Sequence, residues 1–283
     1  MTLRRRHRTA RRIAGCAILM ALAASSPPRP APRPSPPTRP HPAAPPIVLQ
    51  DRQPFYRDSY QAFASPWSTF FETSLVHGVD YRDTILVHPD RFPDGTMFDS
   101  VWPKRAPAKS GVWGYNALSF GNYDGGRPPR PVIPRRVAEI RRLDESFAFR
   151  YAGSPFFNLL TEFYLTSKAG DETAKLVEIG FFLHTPQSTA AYARAGTSIG
   201  GYRDRQGRAW AVYRQGTYYM IIPAGGEDVP AGTIEIAPLL SWLVQKRVLT
   251  GAEWFNGLAF GIEPGPGGGH TRLLVDRWRV TYE

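Results

Sequence analysis

From about residue 48 to the C-terminus, apolar residues alternate with polar or small ones in short runs. The clearest are Val112–Phe120, Asn158–Ser167, Leu176–His184, Ala209–Tyr213, Tyr218–Ile222, Gly257–Glu263 and Arg272–Thr281. Turn signals separate them, among them Asp94-Gly95, Asp124-Gly125-Gly126, Gln206-Gly207, Gln215-Gly216 and Gly225-Gly226. A period of two puts successive side chains on opposite faces of a strand, and many short strands with turns between them predict a sandwich or jelly roll. One stretch breaks the period. Leu239, Leu240, Leu243, Val244 and Val248 recur at helical spacing with Pro238 suited to a first turn, which predicts one helix over about Ala237–Leu249. Residues 134–147 carry Val137, Ile140 and Leu143 three apart and read equally as a helical turn or an exposed strand.

Two of the predicted strands carry a lone acid among apolar and small residues. In 175–183, Val177, Ile179, Phe181 and Leu183 share the core face, and Glu178, Gly180 and Phe182 share the other. In 257–264, Leu258, Phe260 and Ile262 face the core, opposite Gly257, Ala259, Gly261 and Glu263. A carboxylate on a face of Gly and Ala implies a low floor on which a ligand can lie. Two carboxylates facing one groove are what glycosidic bond cleavage requires.

Composition sharpens this picture mainly by removing an alternative. The 283 residues are 42% hydrophobic and 13% aromatic, enough for a sizeable core, and carry a formal charge of +11. Nine of the 35 basic residues, and none of the 24 acidic ones, fall within residues 1–46. The remainder is near neutral, which argues against nucleic-acid binding. Residues 1–26 read as an export signal: Arg4, Arg5, Arg6, Arg8, Arg11 and Arg12 precede a short apolar run, Ile13–Ala24, with Ala21-Leu22-Ala23 as a cleavage site. A retained membrane anchor, twin-arginine export at Arg11-Arg12 and lipidation at Cys16 are weaker readings. Residues 27–46 hold 11 of the 28 prolines, a semi-rigid tether running to about residue 47. Cys16 is the only cysteine, so the mature chain is expected to have neither disulfides nor thiol chemistry.

Other motifs carry less. Gly196-Thr197-Ser198-Ile199-Gly200 matches a nucleophile elbow, but the turn residues after it predict a hairpin where an elbow needs a helix. His77, His88, His184 and His270 lack metal-ligand spacing, and the loop Gly265–Gly269 has no following helix to hold a phosphate.

Several segments, in order, resemble family 12 glycoside hydrolases from about Val112 onward. Glu178-Ile179-Gly180-Phe181-Phe182-Leu183 is similar to the strand bearing the family's first carboxylate, and Phe260-Gly261-Ile262-Glu263-Pro264 to the one bearing its second. The second follows a helix pattern matched by Leu239-Leu240-Ser241-Trp242-Leu243. Gly207–Tyr213 resembles the family's Gly-x-x-Trp-x-x-Tyr hairpin, and Gly114-Tyr115 with Ser119-Phe120-Gly121 resembles another of its strands. There are departures: Gly180 stands for a Met, Phe182 for a Trp, and Glu162 for an Asp near the nucleophile. Alternation puts Glu162 on the groove face with Asn158 and Tyr164.

The resemblance implies an all-β fold: a β-jelly-roll sandwich of two antiparallel sheets with one packed α-helix, with residues 48–283 as the catalytic domain. It implies a secreted, retaining endo-β-1,4-glucanase acting on polysaccharide. Glu178 would be nucleophile, Glu263 acid/base and Glu162 support. Trp113, Tyr115, Phe182, Asn158 and Tyr164 would contact substrate. Trp67, Trp102, Trp113, Tyr115 and Phe182 are candidate platforms for sugar rings, whereas Trp210 and Trp242 read as packing. No metal or organic cofactor, no nucleic acid, no stable membrane association after signal cleavage, and a monomer are expected. Xyloglucan or mixed-linkage glucan as substrate, and a non-catalytic carbohydrate-binding role, are the alternatives.

Overall fold

The computed structural model describes residues 44–50 and 52–283. The expected export signal, Cys16 and the expected tether up to residue 43 lie outside the described residues.

Among the described residues the strands form two sheets. The smaller runs β1 (Ile47–Gln50), β4 (Arg82–Val87), β5 (Thr96–Trp102), β17 (Gly269–Tyr282), β8 (Leu143–Gly153), β14 (Ala231–Glu235). The larger runs β11 (Thr197–Arg203), β12 (Ala209–Gln215), β13 (Tyr218–Pro223), β10 (Lys175–His184), β9 (Phe157–Thr166), β16 (Gly257–Pro264), β6 (Asn116–Gly121), β3 (Tyr60–Phe63), β2 (Pro54–Arg57). The short strands β15 (Trp254–Phe255) and β7 (Arg135–Arg136) extend it beside β9. Most pairings are antiparallel, as expected of a jelly roll. β10 and β13 are parallel, which corrects the expectation of purely antiparallel sheets.

The alternation seen in the sequence becomes the core. Ile179, Phe181 and Leu183 of β10, Leu159, Phe163 and Leu165 of β9, and Leu258, Phe260 and Ile262 of β16 face the smaller sheet. Phe147 and Phe149 of β8 and Leu273, Val275 and Trp278 of β17 meet them there, all at most 5% exposed. Each such side chain contributes roughly 1.5–3 kcal/mol by leaving water. Helix α2 (Ile236–Gln245) forms where the helical spacing predicts one. It buries Ile236, Ala237, Leu239, Leu240 and Leu243 in the same core.

A second helix, α1 (Gln187–Arg194), was not expected. Its inward residues are Ala190 and Ala193, so it has no stripe of large apolar side chains to mark it. The ambiguous stretch 134–147 resolves into β7, a 3₁₀ turn at Val137–Glu139 and the start of β8. Β12 and β13 are joined by the two-residue turn Gly216-Thr217, whose first residue has φ +61° and so favours glycine.

Candidate active site

The face of the larger sheet turned away from the smaller one carries a second cluster of buried side chains. Strand β9 is its centre, with β10 on one side and β16 on the other. Register puts Glu178 opposite Tyr164 and Gly180 opposite Glu162; across β9, Glu162 faces Ala259 and Asn158 faces Glu263. The three acids therefore run diagonally over three adjacent strands, with Glu162 in the middle. Glu162 is 4% exposed, while Glu178 and Glu263 are half-buried.

Each acid has a different setting. Glu263 accepts a hydrogen bond from Asn158 Nδ2 at 2.9 Å. Glu162 accepts one from the Tyr123 hydroxyl at 2.6 Å and another from Tyr164. Tyr123 is held by stacking on Tyr164 (centroids 5.6 Å apart) and Phe63 (6.1 Å). Lys175 Nζ lies 3.7 Å from the Tyr164 ring centroid and 2.5 Å from Asp124 Oδ1, tying down this end of the site.

Burial raises the pKa of all three acids. Glu178 and Glu263 are pushed up to about 8, first by desolvation and then by the negative charge of Glu162. Glu162 is raised by desolvation, opposed by its two tyrosine donors. Acids that raise one another in this way titrate as a group and not singly. The surrounding Tyr115, Tyr123, Tyr164 and Tyr218 are all raised, first by burial and then by Glu162, and stay protonated donors. An ionised carboxylate beside a protonated one, on a face with polar donors, can combine nucleophilic attack with proton transfer.

No family model matches the chain, and no curated protein matches its sequence. Solved structures do match its fold. A metagenome-derived family 12 endoglucanase superposes with TM-score 0.66 at 15% identity, covering 84% of this chain and 98% of its own. A family 12 xyloglucanase from Bacillus licheniformis gives TM-score 0.65 at 17% identity, with 84% and 100% covered. Endoglucanase 3 of Trichoderma harzianum, also family 12, gives 0.63 at 14%, with 86% and 100% covered.

The fold is that of the family 12 glycoside hydrolases. Within this family 12 fold, the structure brings Glu178, Glu162, Glu263, Asn158 and Tyr164 together as the alternation predicts, and Tyr115 shares their face. Several aromatic expectations need correction. Trp113 is fully buried, stacked on Trp102 (5.2 Å, 11°) with the Arg105 guanidinium 5.0 Å from its ring centroid. Trp102 in turn stacks on Tyr81 at 4.5 Å. These rings form a satellite core, with no face free for a sugar. Phe182 does lie on the site face but is 1% exposed, so it supports the floor and cannot touch a ligand directly. Tyr115, at 7%, offers little more than an edge. Trp67 is half-buried against the site-face cluster, so it keeps part of its surface. Trp210 is buried and Trp242 packs on the main core, as read from sequence.

The low floor is also different from the expectation. A Cβ on Gly180 would overlap the Tyr218 hydroxyl oxygen and come within 3.0 Å of its Cε2, so that glycine makes room for a side chain of the protein itself. A Cβ on Gly261 would lie 2.6 Å from the Ala117 Cβ, so that glycine permits a close strand approach. Ser198 lies in β11, which leads into the hairpin with β12 and not into a helix, so the elbow reading fails on structure. Tyr123 and Tyr218 escaped sequence reading. Tyr123 sits in a turn-rich stretch with no periodicity, and Tyr218 begins a strand whose pattern reads as ordinary packing.

Proposed function

We propose that the protein is a secreted, retaining endo-β-1,4-glucanase. The observation that carries the reading is the diagonal of Glu178, Glu162 and Glu263 over three adjacent strands, with the charge of Glu162 raising both of its neighbours. Glu178 attacks the anomeric carbon and forms a glycosyl ester as the bond to the leaving oxygen breaks. Glu263 gives that oxygen its proton, then takes one from the water that cleaves the ester. Retention calls for carboxyl groups about 5–5.5 Å apart in the working geometry. Glu263, held by Asn158, is raised by burial in the way a general acid near neutral pH requires. Burial and the charge of Glu162 raise Glu178 to about 8, with Lys175 opposing them, so the ionised form a nucleophile needs gains as pH rises towards 8. The arginine-rich start and the apolar run Ile13–Ala24 support export. Burial of Trp102, Trp113 and Phe182 removes three stacking platforms, which disfavours a purely binding role.

The test is reducing-sugar release from carboxymethyl cellulose, barley β-glucan and xyloglucan, with Glu178→Gln and Glu263→Gln in parallel. The parent should release sugar, and each variant should lose about a hundredfold or more. An inert parent, or variants that match it, would sink the assignment. The order of the three substrates ranks cellulose, mixed-linkage glucan and xyloglucan as targets.

A further inference from the structure

Three conditions meet at Tyr218 on the site face. Its position is fixed, because it is the first residue of β13 after the tight Gly216-Thr217 turn and pairs with Glu178 across the parallel β10–β13 ladder. Its ring lies over Gly180, the residue two beyond Glu178 and directly opposite Glu162 on β9. Phe182 lies beneath, with ring centroids 6.3 Å apart and tilted at 48°, so the phenol is supported from below while remaining half-buried. Register and the closeness to Gly180 therefore place the hydroxyl beside Glu178 on β10 and on the side of Gly180 that faces Glu162 on β9; burial, and after it the charges of Glu162, Glu263 and Glu178, raise its pKa. A phenol among carboxylates does not ionise; it stays an O–H donor. Any side chain at position 180 would evict it.

We propose that Tyr218 is a further catalytic residue: its hydroxyl, laid over Gly180 between the strand positions of Glu178 and Glu162, donates a hydrogen bond to an oxygen of the sugar unit held at Glu178. The inference rests on the glycosidase reading above. A donor fixed beside the reacting carbon is worth most when sugar oxygens gain charge or tighten their hydrogen bonds as the glycosidic bond breaks. Its contribution therefore falls on the chemical step more than on ground-state binding. It also accounts for the pairing of Gly180 with Tyr218 on adjacent strands, since the glycine is what admits the ring.

The experiment compares the full-length parent with Tyr218→Phe, Gly180→Ala and the double variant on barley β-glucan and an aryl cello-oligosaccharide. Tyr218→Phe keeps the ring and its packing, so its thermal midpoint should match the parent's. It should lose about tenfold or more in kcat, with KM changed by less than about threefold. Gly180→Ala should lose at least as much by displacing the hydroxyl, and the double variant should lose no more than Gly180→Ala alone, because both changes remove one contact. A Tyr218→Phe enzyme within about twofold of the parent's kcat, or losses that multiply in the double variant, would overturn the proposal and leave the glycosidase reading intact. A parent inert on both substrates would overturn that reading and this proposal with it.

Discussion

Strand β9 has a carboxyl environment on each of its faces, one residue apart. On the core face Thr161 donates to Glu145, which is also held by Trp278 Nε1 at 2.5 Å. On the site face the next residue, Glu162, accepts from Tyr123 and is flanked by Glu178 and Glu263. Glu145 is fully buried between the sheets, and burial lifts its pKa to about 7 against two hydrogen bonds that lower it. No other acid contributes to that shift. A solitary buried carboxyl answers to pH through folding alone, because nothing reacts beside it. A clustered one passes its charge to neighbours, and pH then reaches the chemistry. The same desolvation serves opposite ends according to what stands next to the acid.

The largest expected effect separates the two faces by activity. Glu178→Gln should remove about a hundredfold or more of the turnover of β-glucan. It should also raise thermal stability at neutral pH, because a half-buried acid with a raised pKa gives way to a neutral amide. Glu145→Gln should leave kcat and KM near the parent's. Loss of turnover in Glu145→Gln with unchanged folding would abolish the distinction between the faces.

The next effect is in stability. Below the ordinary glutamate value of 4.5, both folded and unfolded chains hold the Glu145 proton. As pH rises from there the unfolded chain releases it and the folded chain keeps it, so stability falls until the folded value of about 7 is passed. The total is on the order of 3 kcal/mol. Glu145→Gln lacks this loss. Its denaturant midpoint should match the parent's near pH 4 and exceed it near pH 8. Parallel curves across that range would mean that Glu145 is ionised in the core.

How much of this was legible beforehand follows from what each residue's neighbours are. Glu178 and Glu263 stood out because alternation leaves an acid conspicuous among Gly, Ala and core residues, and register then brings them to one face. Leu239, Leu240 and Leu243 marked α2 for the same reason, a dense period. Α1 has small residues inward and left no such mark. Glu145 lies in Leu143–Gly153, which alternates well with Phe147 and Phe149, and only the opposing sheet makes its burial evident. Trp113 misled because tryptophan beside a predicted groove reads as a platform, whereas the Tyr81–Trp102–Trp113 stack is assembled from three segments. Gly180 misled for a related reason: an empty side chain reveals space but not what fills it, and Tyr218 arrives from a strand paired in parallel, about forty residues on.

The smallest effect is the sharpest test of coupling within the site face. In the proposed reaction the acid limb of kcat/KM against pH follows ionisation of Glu178, and the basic limb follows loss of the proton from Glu263. The negative charge of Glu162 raises both groups. Glu162→Gln keeps an oxygen for the Tyr123 hydroxyl, so the site's packing survives, but it removes that charge. Both limbs should therefore move to lower pH together, shifting the optimum acidward with little change in the width of the bell. Glu145→Gln, one strand layer away, should move neither limb. A Glu162→Gln profile that stays in place would mean that Glu162 holds its proton throughout the working range. Glu178 and Glu263 would then be set by burial and by each other, and the two faces of β9 would differ in the number of their acids but not in kind.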